Sequence, residues 1–66
     1  MNTFCIGEYG DIEVKNVMVD VGFNCLEEGI DIIFTEENIP TITIVGCIDL
    51  DSLTVDELEK LIEDNI

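Results

Sequence analysis

The stretch that decides the fold is TITIVGCIDL, residues 41–50, followed directly by DSLTVDELEKLIEDNI, residues 51–66. In residues 41–50, apolar and polar side chains alternate with a period of two, which is typical of a half-buried β-strand. The apolar positions are Ile42, Ile44, Ile48 and Leu50, and the polar positions are Thr41, Thr43 and Asp49. We therefore predict a strand over residues 41–50 with one buried face.

Residues 51–66 change to a helical period and predict an amphipathic helix. Its apolar stripe consists of Val55, Leu58, Leu61 and Ile62. Thr54 and Glu57 have the spacing of a capping box, in which the two residues satisfy free amides at the helix start. Leu53, just before the cap, and Leu58 form the matching hydrophobic staple. A strand that leads directly into such a helix gives the preceding strands both a partner and a cover.

Three further strands are predicted upstream, separated by turns or polar segments. They span residues 3–7, 12–23 and 30–36, with a turn at 8–11, a polar connection at 24–29 and a turn at 37–40. In the third strand Ile30, Ile32 and Phe34 point inward. The predicted fold class is α+β, a four-stranded antiparallel β-meander followed by a C-terminal amphipathic helix packed on one face (ββββα).

The pattern of residues 12–23 changes phase in the middle. Ile12 and Val14 alternate on even positions, whereas the later apolar residues, Val17, Val19, Val21 and Phe23, alternate on odd positions. Because a one-residue slip moves side chains to the other face, two structures are compatible with the pattern. Either a bulge at Lys15–Asn16 bends one long strand, which we favour, or a tight turn there makes two strands.

Length and composition predict a single small domain, residues 1–66. The chain has 66 residues, is 47% hydrophobic and has a mean hydropathy of +0.35. A chain of this size buries only roughly 60% of the surface exposed when it is unfolded. The supply of β-branched residues nevertheless argues against disorder.

The charge balance restricts the partners and the chemistry. Sixteen acidic residues oppose two lysines, with no histidine and no arginine, for a net charge of −14. Such a surface repels phosphate, so we expect no direct nucleic-acid binding and no membrane-surface binding, and we expect a basic protein surface as partner. Without His or Arg the usual nucleophilic and phosphoryl-transfer sets cannot be built. We predict no enzyme, no catalytic residue and no cofactor.

The cysteines and the N-terminal residues favour a cytoplasmic protein. Cys5, Cys25 and Cys47 are odd in number and contain no CxxC pair, which fits a reducing compartment better than a disulfide framework. We expect no signal peptide and no membrane span.

No metal site is predicted. The three cysteines lack a fourth soft ligand for zinc. Asp49-Leu-Asp51 begins like an EF-hand loop, but Thr54 stands where glycine is needed and Lys60 where a bidentate glutamate is needed.

The leading hypothesis for function is an acidic mimic of nucleic acid. Carboxylates fixed on an ordered fold can imitate backbone phosphates and block the basic channel of a nucleic-acid enzyme, as small phage-encoded inhibitors of restriction, CRISPR or repair proteins do as a class. The residues predicted to form this partner-binding surface are Asp56, Glu59, Glu63, Asp64, Asp31, Glu36 and Glu37.

Two alternatives remain open. If the isoleucines of residues 41–50 face the helix, the far face of the sheet carries an apolar patch, and such patches mark interfaces. The predicted homo-oligomer interface is Met18, Ile33, Val45 and Cys47. The protein would then be a small structural or assembly module, with acids that serve only solubility. The third hypothesis is a weak binder of divalent cations.

Overall fold

In a computed structural model, which describes residues 2–36 and 38–65, the chain forms four strands and one helix. The elements are β1 (Asn2–Ile6), β2 (Gly10–Gly22), β3 (Cys25–Phe34), β4 (Ile42–Val45) and α1 (Val55–Asn65). Each strand pairs antiparallel with the next, in the order β1-β2-β3-β4. The predicted antiparallel meander with a C-terminal helix is confirmed.

One face of the sheet packs against α1, and we call it the helix-side face and the opposite face the open face. On the helix-side face Ile12 pairs with Phe34 and Val14 with Ile32 across β2 and β3. From the helix, the fully buried Leu58 and Ile62 complete the same cluster. The buried core consists of Ile6, Ile12, Val14, Ile30, Ile32, Phe34, Leu50, Leu58 and Ile62.

The start of α1 follows from its sequence. The Glu57 amide donates to the Thr54 hydroxyl oxygen at 3.2 Å, and that hydroxyl donates to the Glu57 carboxylate at 3.0 Å. The predicted capping pair is therefore confirmed, although the carboxylate meets the hydroxyl itself. Leu53, just before the cap, packs against the core cluster that contains Leu58. These local contacts fix where the helix begins and how it enters the core.

Replacing Thr54 by alanine is expected to lower the free energy of unfolding by about 1 kcal/mol. The change leaves the Glu57 amide without its acceptor at the first turn of α1. Urea denaturation followed by circular dichroism measures the effect, and Ser52→Ala is the control because the Ser52 hydroxyl makes only a long 3.4 Å contact in the preceding turn. Equal stabilities of the Thr54→Ala protein and the parent would contradict the capping assignment.

The connection predicted for residues 24–29 is wrong, because β3 already begins at Cys25. Gly22 pairs with Cys25, which leaves Phe23 and Asn24 as a two-residue hairpin turn. Their φ angles are 55° and 59°. Two successive positive φ values are the geometry that joins antiparallel strands tightly. A phenylalanine in place of the usual Asn or Gly concealed this turn in the sequence.

The open question about residues 12–23 is resolved in favour of one strand, but the proposed bulge site is wrong. Pairing of β2 with β3 is regular through Lys15 and Asn16, and the irregularity lies between Asp20 and Gly22. The apolar pattern therefore changes faces without a change in backbone register. Val17 and Val19 lie on the open face, away from α1.

The predicted strand over residues 41–50 is too long. β4 ends at Val45, and the next amide, Gly46, donates to the Glu28 carbonyl at 2.8 Å. Gly46 has φ of +154°, which glycine adopts more readily than other residues. The chain then leaves the sheet, and Leu50 enters the core from a loop, where its carbonyl accepts a hydrogen bond from the Asn2 side chain at 2.9 Å.

Candidate acidic protein-binding surface

The described carboxylates all lie outside the core. No charged or polar side chain among residues 2–36 and 38–65 is buried. Glu13, Asp31 and Glu59 are half-buried, and the other described acids are exposed. Glu13 and Asp31 lie on the open face, Asp20 and Glu28 lie on the part of the helix-side face that extends beyond the core, and the acids of α1 lie outside its apolar stripe. The fold therefore displays nearly all of its negative charge to solvent.

The four predicted helix acids occupy the solvent side of α1. Asp56, Glu63 and Asp64 are exposed and Glu59 is half-buried. Asp56, Glu59 and Glu63 follow an i, i+3, i+7 spacing, which places them along one side of the helix. We call these three residues the helix acidic row.

Two members of the helix acidic row, Glu59 and Glu63, lie near Tyr9 of the β1–β2 turn. The pKa of the Tyr9 hydroxyl is raised above its ordinary value of 10.0. The largest cause is burial of the hydroxyl, and the negative charges of Glu8, Glu63 and Glu59 add to it. The Tyr9 ring is held edge-on against Phe34, with ring centroids 5.7 Å apart. Two distant parts of the chain thus converge on one tyrosine. The sequence does not predict that Glu8 belongs here, because nothing local connects Glu8 to the helix.

Tyr9 gives a direct test of this convergence, because it is the single tyrosine of the chain. We expect an alkaline titration of phenolate absorbance to show a pKa above 10.0 in the folded protein, and Glu63→Gln to move it back toward that value. The folded state holds this proton more tightly than the unfolded state. Its stabilising contribution is therefore complete below about pH 10 and is lost as the pH rises through the folded-state pKa.

The control for the titration is Glu27→Gln, which removes one charge on β3 at the far end of the sheet. A local cluster predicts a clearly smaller shift for Glu27→Gln than for Glu63→Gln. Equal shifts would show that overall charge, and not the acids around Tyr9, sets the pKa.

The seven acids predicted as one surface do not come together. Asp31 points to the open face, across the sheet from the helix acidic row, where it lies opposite Lys15 and accepts a hydrogen bond from the Thr43 hydroxyl at 2.6 Å. Glu36 lies in the turn after β3. Glu37 falls outside the described residues. The predicted surface is thus divided between the two sides of the sheet.

The four residues predicted as an oligomer interface are also divided. Ile33 and Val45 lie on the open face as predicted, but Met18 pairs with Glu28 on the helix-side face, beyond the reach of α1. Met18 is misplaced because β2 has no bulge at Lys15–Asn16. Cys47 follows the end of β4, and a hydrogen bond with the Glu28 carboxylate, with that group's negative charge, raises the pKa of its thiol. The predicted patch of four residues is therefore not formed.

The open face has a feature that the sequence analysis missed. Val17 and Val45 flank Gly29 on the two neighbouring strands. A Cβ built on Gly29 would lie 2.9 Å from a methyl group of Val19. The valine side chains therefore occupy the space over the glycine and form a small apolar area on this face. A Gly between valine-rich strands is the signal that could have revealed it.

Two other kinds of site are absent from the described residues. No three Cys, Asp or Glu side chains there are grouped so that they could hold a metal ion. Nor does this part of the chain contain a helix of the length and apolar character that a bilayer crossing requires.

No family model, curated protein or solved structure matches this chain. The fold and the surface define a class, a small α+β protein whose carboxylates are displayed on a sheet and a helix that share one apolar core.

Proposed function

We propose that this protein is a non-enzymatic, acidic binding protein that imitates nucleic-acid phosphates and blocks the basic nucleic-acid-binding surface of a partner enzyme. The observation that carries the proposal is that no charged side chain of the described residues is buried, with Glu8, Glu59 and Glu63 close enough together for all three to act on Tyr9. Negative charge from two elements is concentrated there in a fixed arrangement.

The arrangement is rigid because the core holds it. Leu58 and Ile62 are fully buried and hold α1 on the sheet, and the helix acidic row lies outside this apolar stripe, with Glu59 half-buried at its border. With a rise of about 1.5 Å per residue, the carboxylates of the row are spaced about 4.5 and 6 Å along the helix axis. Phosphates of one DNA strand advance about 3.4 Å each along the duplex axis. A basic groove that accepts phosphates therefore meets a row of charges of the same sign, spaced somewhat more widely along the axis than successive phosphates of one strand.

Charge also favours this class of partner over others. With a net charge of −14 the protein is attracted to lysine- and arginine-rich surfaces and repelled by nucleic acid itself. Such attraction accelerates association and weakens with salt. We place the interaction in the cytoplasm, where nucleic-acid enzymes act and where the exposed free thiols of Cys5, Cys25 and Cys47 remain reduced.

The test measures binding to three purified enzymes, namely a restriction endonuclease, a guide-RNA-loaded CRISPR nuclease and a DNA-repair glycosylase, at low and high salt. We expect tight binding to at least one enzyme at low salt and a marked loss at high salt. Absence of binding to all three at low salt, or binding that salt does not change, would contradict the proposal.

Paired variants locate the surface that binds. The double variant Glu59→Gln/Glu63→Gln is expected to weaken binding about tenfold, equivalent to ~1.4 kcal/mol. The control Glu27→Gln/Asp51→Asn removes the same number of charges from exposed positions away from Tyr9, and we expect a smaller loss. If the control weakens binding as much as the first variant, net charge and not the helix acidic row determines affinity.

A further inference from the structure

The β2–β3 hairpin extends beyond its neighbours. β1 pairs with β2 only as far as Val14, and β4 pairs with β3 from Ile32 to Gly29. Residues 16–28 therefore project as a two-stranded segment, which we call the hairpin arm. Among the residues that the structure describes, no strand pairs with the outer edge of β2 from Asn16 to Gly22.

The hairpin arm exposes most of the large apolar side chains that the fold leaves uncovered. Met18, Leu26 and Phe23 are 59%, 61% and 99% exposed, and Phe23 also adopts a positive φ, which is unusual for a bulky residue. Isolated two-stranded hairpins are marginally stable in water. Within residues 2–36 and 38–65, nothing covers Met18, Val21, Phe23 or Leu26 of this arm, all of which are exposed.

The free edge has little of the usual protection against strand pairing before Asp20, and its one irregularity lies between Asp20 and Gly22, at the tip of the arm. Natural edge strands carry lysine, proline or inward-pointing charges that prevent another strand from adding. Between Asn16 and Gly22 the edge has neither lysine nor proline, and Asp20 is its one ionisable residue. The outward-pointing amides and carbonyls before Gly22 are thus available to an antiparallel strand, whereas the Gly22 amide already donates to the Asp20 carboxylate at 2.9 Å.

We infer that two copies of this chain pair through the free edge of β2, arm against arm and antiparallel, to form a continuous sheet across a two-fold axis at Val19. In this register Val19 lies opposite its own copy, Val17 opposite Val21 and Met18 opposite Asp20. The register is centred on the free edge, and no like charges lie directly opposite each other. The inference is independent of the proposed function.

The neighbouring registers are unfavourable. An axis at Met18 places Gly22 opposite Val14, whose outer edge is already paired with Asn2. An axis at Asp20 places that carboxylate opposite its own copy, and like charges directly opposite each other are destabilising. Of these three registers, the one with its axis at Val19 is therefore the most favourable for a second copy.

Salt separates self-association from binding to a basic partner. Each copy carries a net charge of −14, so the two copies repel each other and salt screens the repulsion. Dimerisation is expected to strengthen as salt is added, whereas binding to a basic surface weakens. Failure of one of the two proposals therefore does not decide the other.

Disulfide trapping tests the register. In a protein with all three exposed cysteines replaced by serine, Val19→Cys is expected to form a covalent dimer under mild oxidation, because directly opposite residues lie within disulfide reach. Glu13→Cys is the matched control, on the same strand and the same open face but between β1 and β3. A dimer from Glu13→Cys and none from Val19→Cys would overturn the inference.

Sedimentation equilibrium of the unaltered chain tests the association itself. We expect a mass approaching twice 7.4 kDa as protein and salt concentrations rise. Val19→Asp is expected to weaken the dimer at least about tenfold, with the Tyr9 titration confirming that the fold is intact. A single-chain mass under all conditions, or a dimer abolished by Ile33→Asp on the open face but not by Val19→Asp, would overturn edge pairing.

Discussion

Replacing Leu58 by alanine is expected to lower the free energy of unfolding by about 2–5 kcal/mol. Leu58 is fully buried, and its side chain packs from α1 into the core cluster that it shares with the sheet. Truncation removes apolar contacts and leaves a cavity that the short helix can close only partly. A domain of this size has a total stability of only roughly 3–10 kcal/mol, so the variant is expected to be partly or wholly unfolded at moderate temperature.

Urea denaturation followed by circular dichroism measures the loss. Val55→Ala is the matched control, since Val55 belongs to the same helix but is 44% exposed. The loss for Leu58→Ala should exceed that for Val55→Ala several-fold. A Leu58→Ala protein as stable as the parent would show that α1 does not pack on the sheet through this residue.

Gly29→Ala is the second substitution with a large expected effect. A Cβ at this position would lie 2.5 Å from the Ile44 carbonyl oxygen and 2.9 Å from a Val19 methyl group. The first neighbour is backbone of β4, so the clash cannot be relieved by rotating a side chain. We expect a loss of about 1–3 kcal/mol or more, typical of overpacking, together with weaker pairing of β4 to β3.

Hydrogen exchange of the β4 amides, measured together with urea denaturation, separates these two effects. Gly7→Ala is the control, since a Cβ there meets no atom within 4 Å and its φ is not in the left-handed region. Gly29→Ala should lose protection in β4 while Gly7→Ala retains it. Unchanged protection in both variants would mean that the close approach of β4 to Gly29 is absent in solution.

The parts of the fold that the sequence predicts are those fixed by local patterns. The capping pair Thr54–Glu57 and the apolar stripe of α1 lie within a few residues of each other, so the sequence alone specifies them. The alternation of Ile30, Ile32 and Phe34 likewise fixes which face of β3 is buried. Together these patterns are sufficient for the ββββα fold class.

The parts that the sequence does not predict depend on turns and on unpaired chain. Phe23–Asn24 lacks the glycine that marks most two-residue hairpins. The sequence pattern therefore predicts that the third strand begins at Ile30, whereas β3 begins at Cys25. The phase change in β2 predicts a bulge only if the whole strand keeps one apolar face toward the core. The phase change has another cause: the second half of β2 extends beyond the part of the sheet that α1 covers. Val19 and Met18 there lie on opposite faces of the sheet, and neither contributes to the core.

The candidate site shows the same division. The order of acids along α1 predicts the helix acidic row, since helical spacing alone places those residues on one side. Helical spacing does not predict that Glu8 lies near this row or that Asp31 lies on the open face. Both positions depend on the tertiary arrangement of the β1–β2 turn, the sheet and α1. Proximity between residues far apart in the chain requires the three-dimensional structure.

Competition with DNA tests the proposed mimicry most directly. A labelled DNA duplex is bound to whichever of the three enzymes binds this protein, and the unlabelled protein is then added at constant low salt. We expect the protein to displace the duplex, and added duplex to raise the protein concentration needed for half-maximal binding in proportion. A stable complex that contains enzyme, duplex and protein together would contradict the mimicry, because two ligands of one basic surface exclude each other.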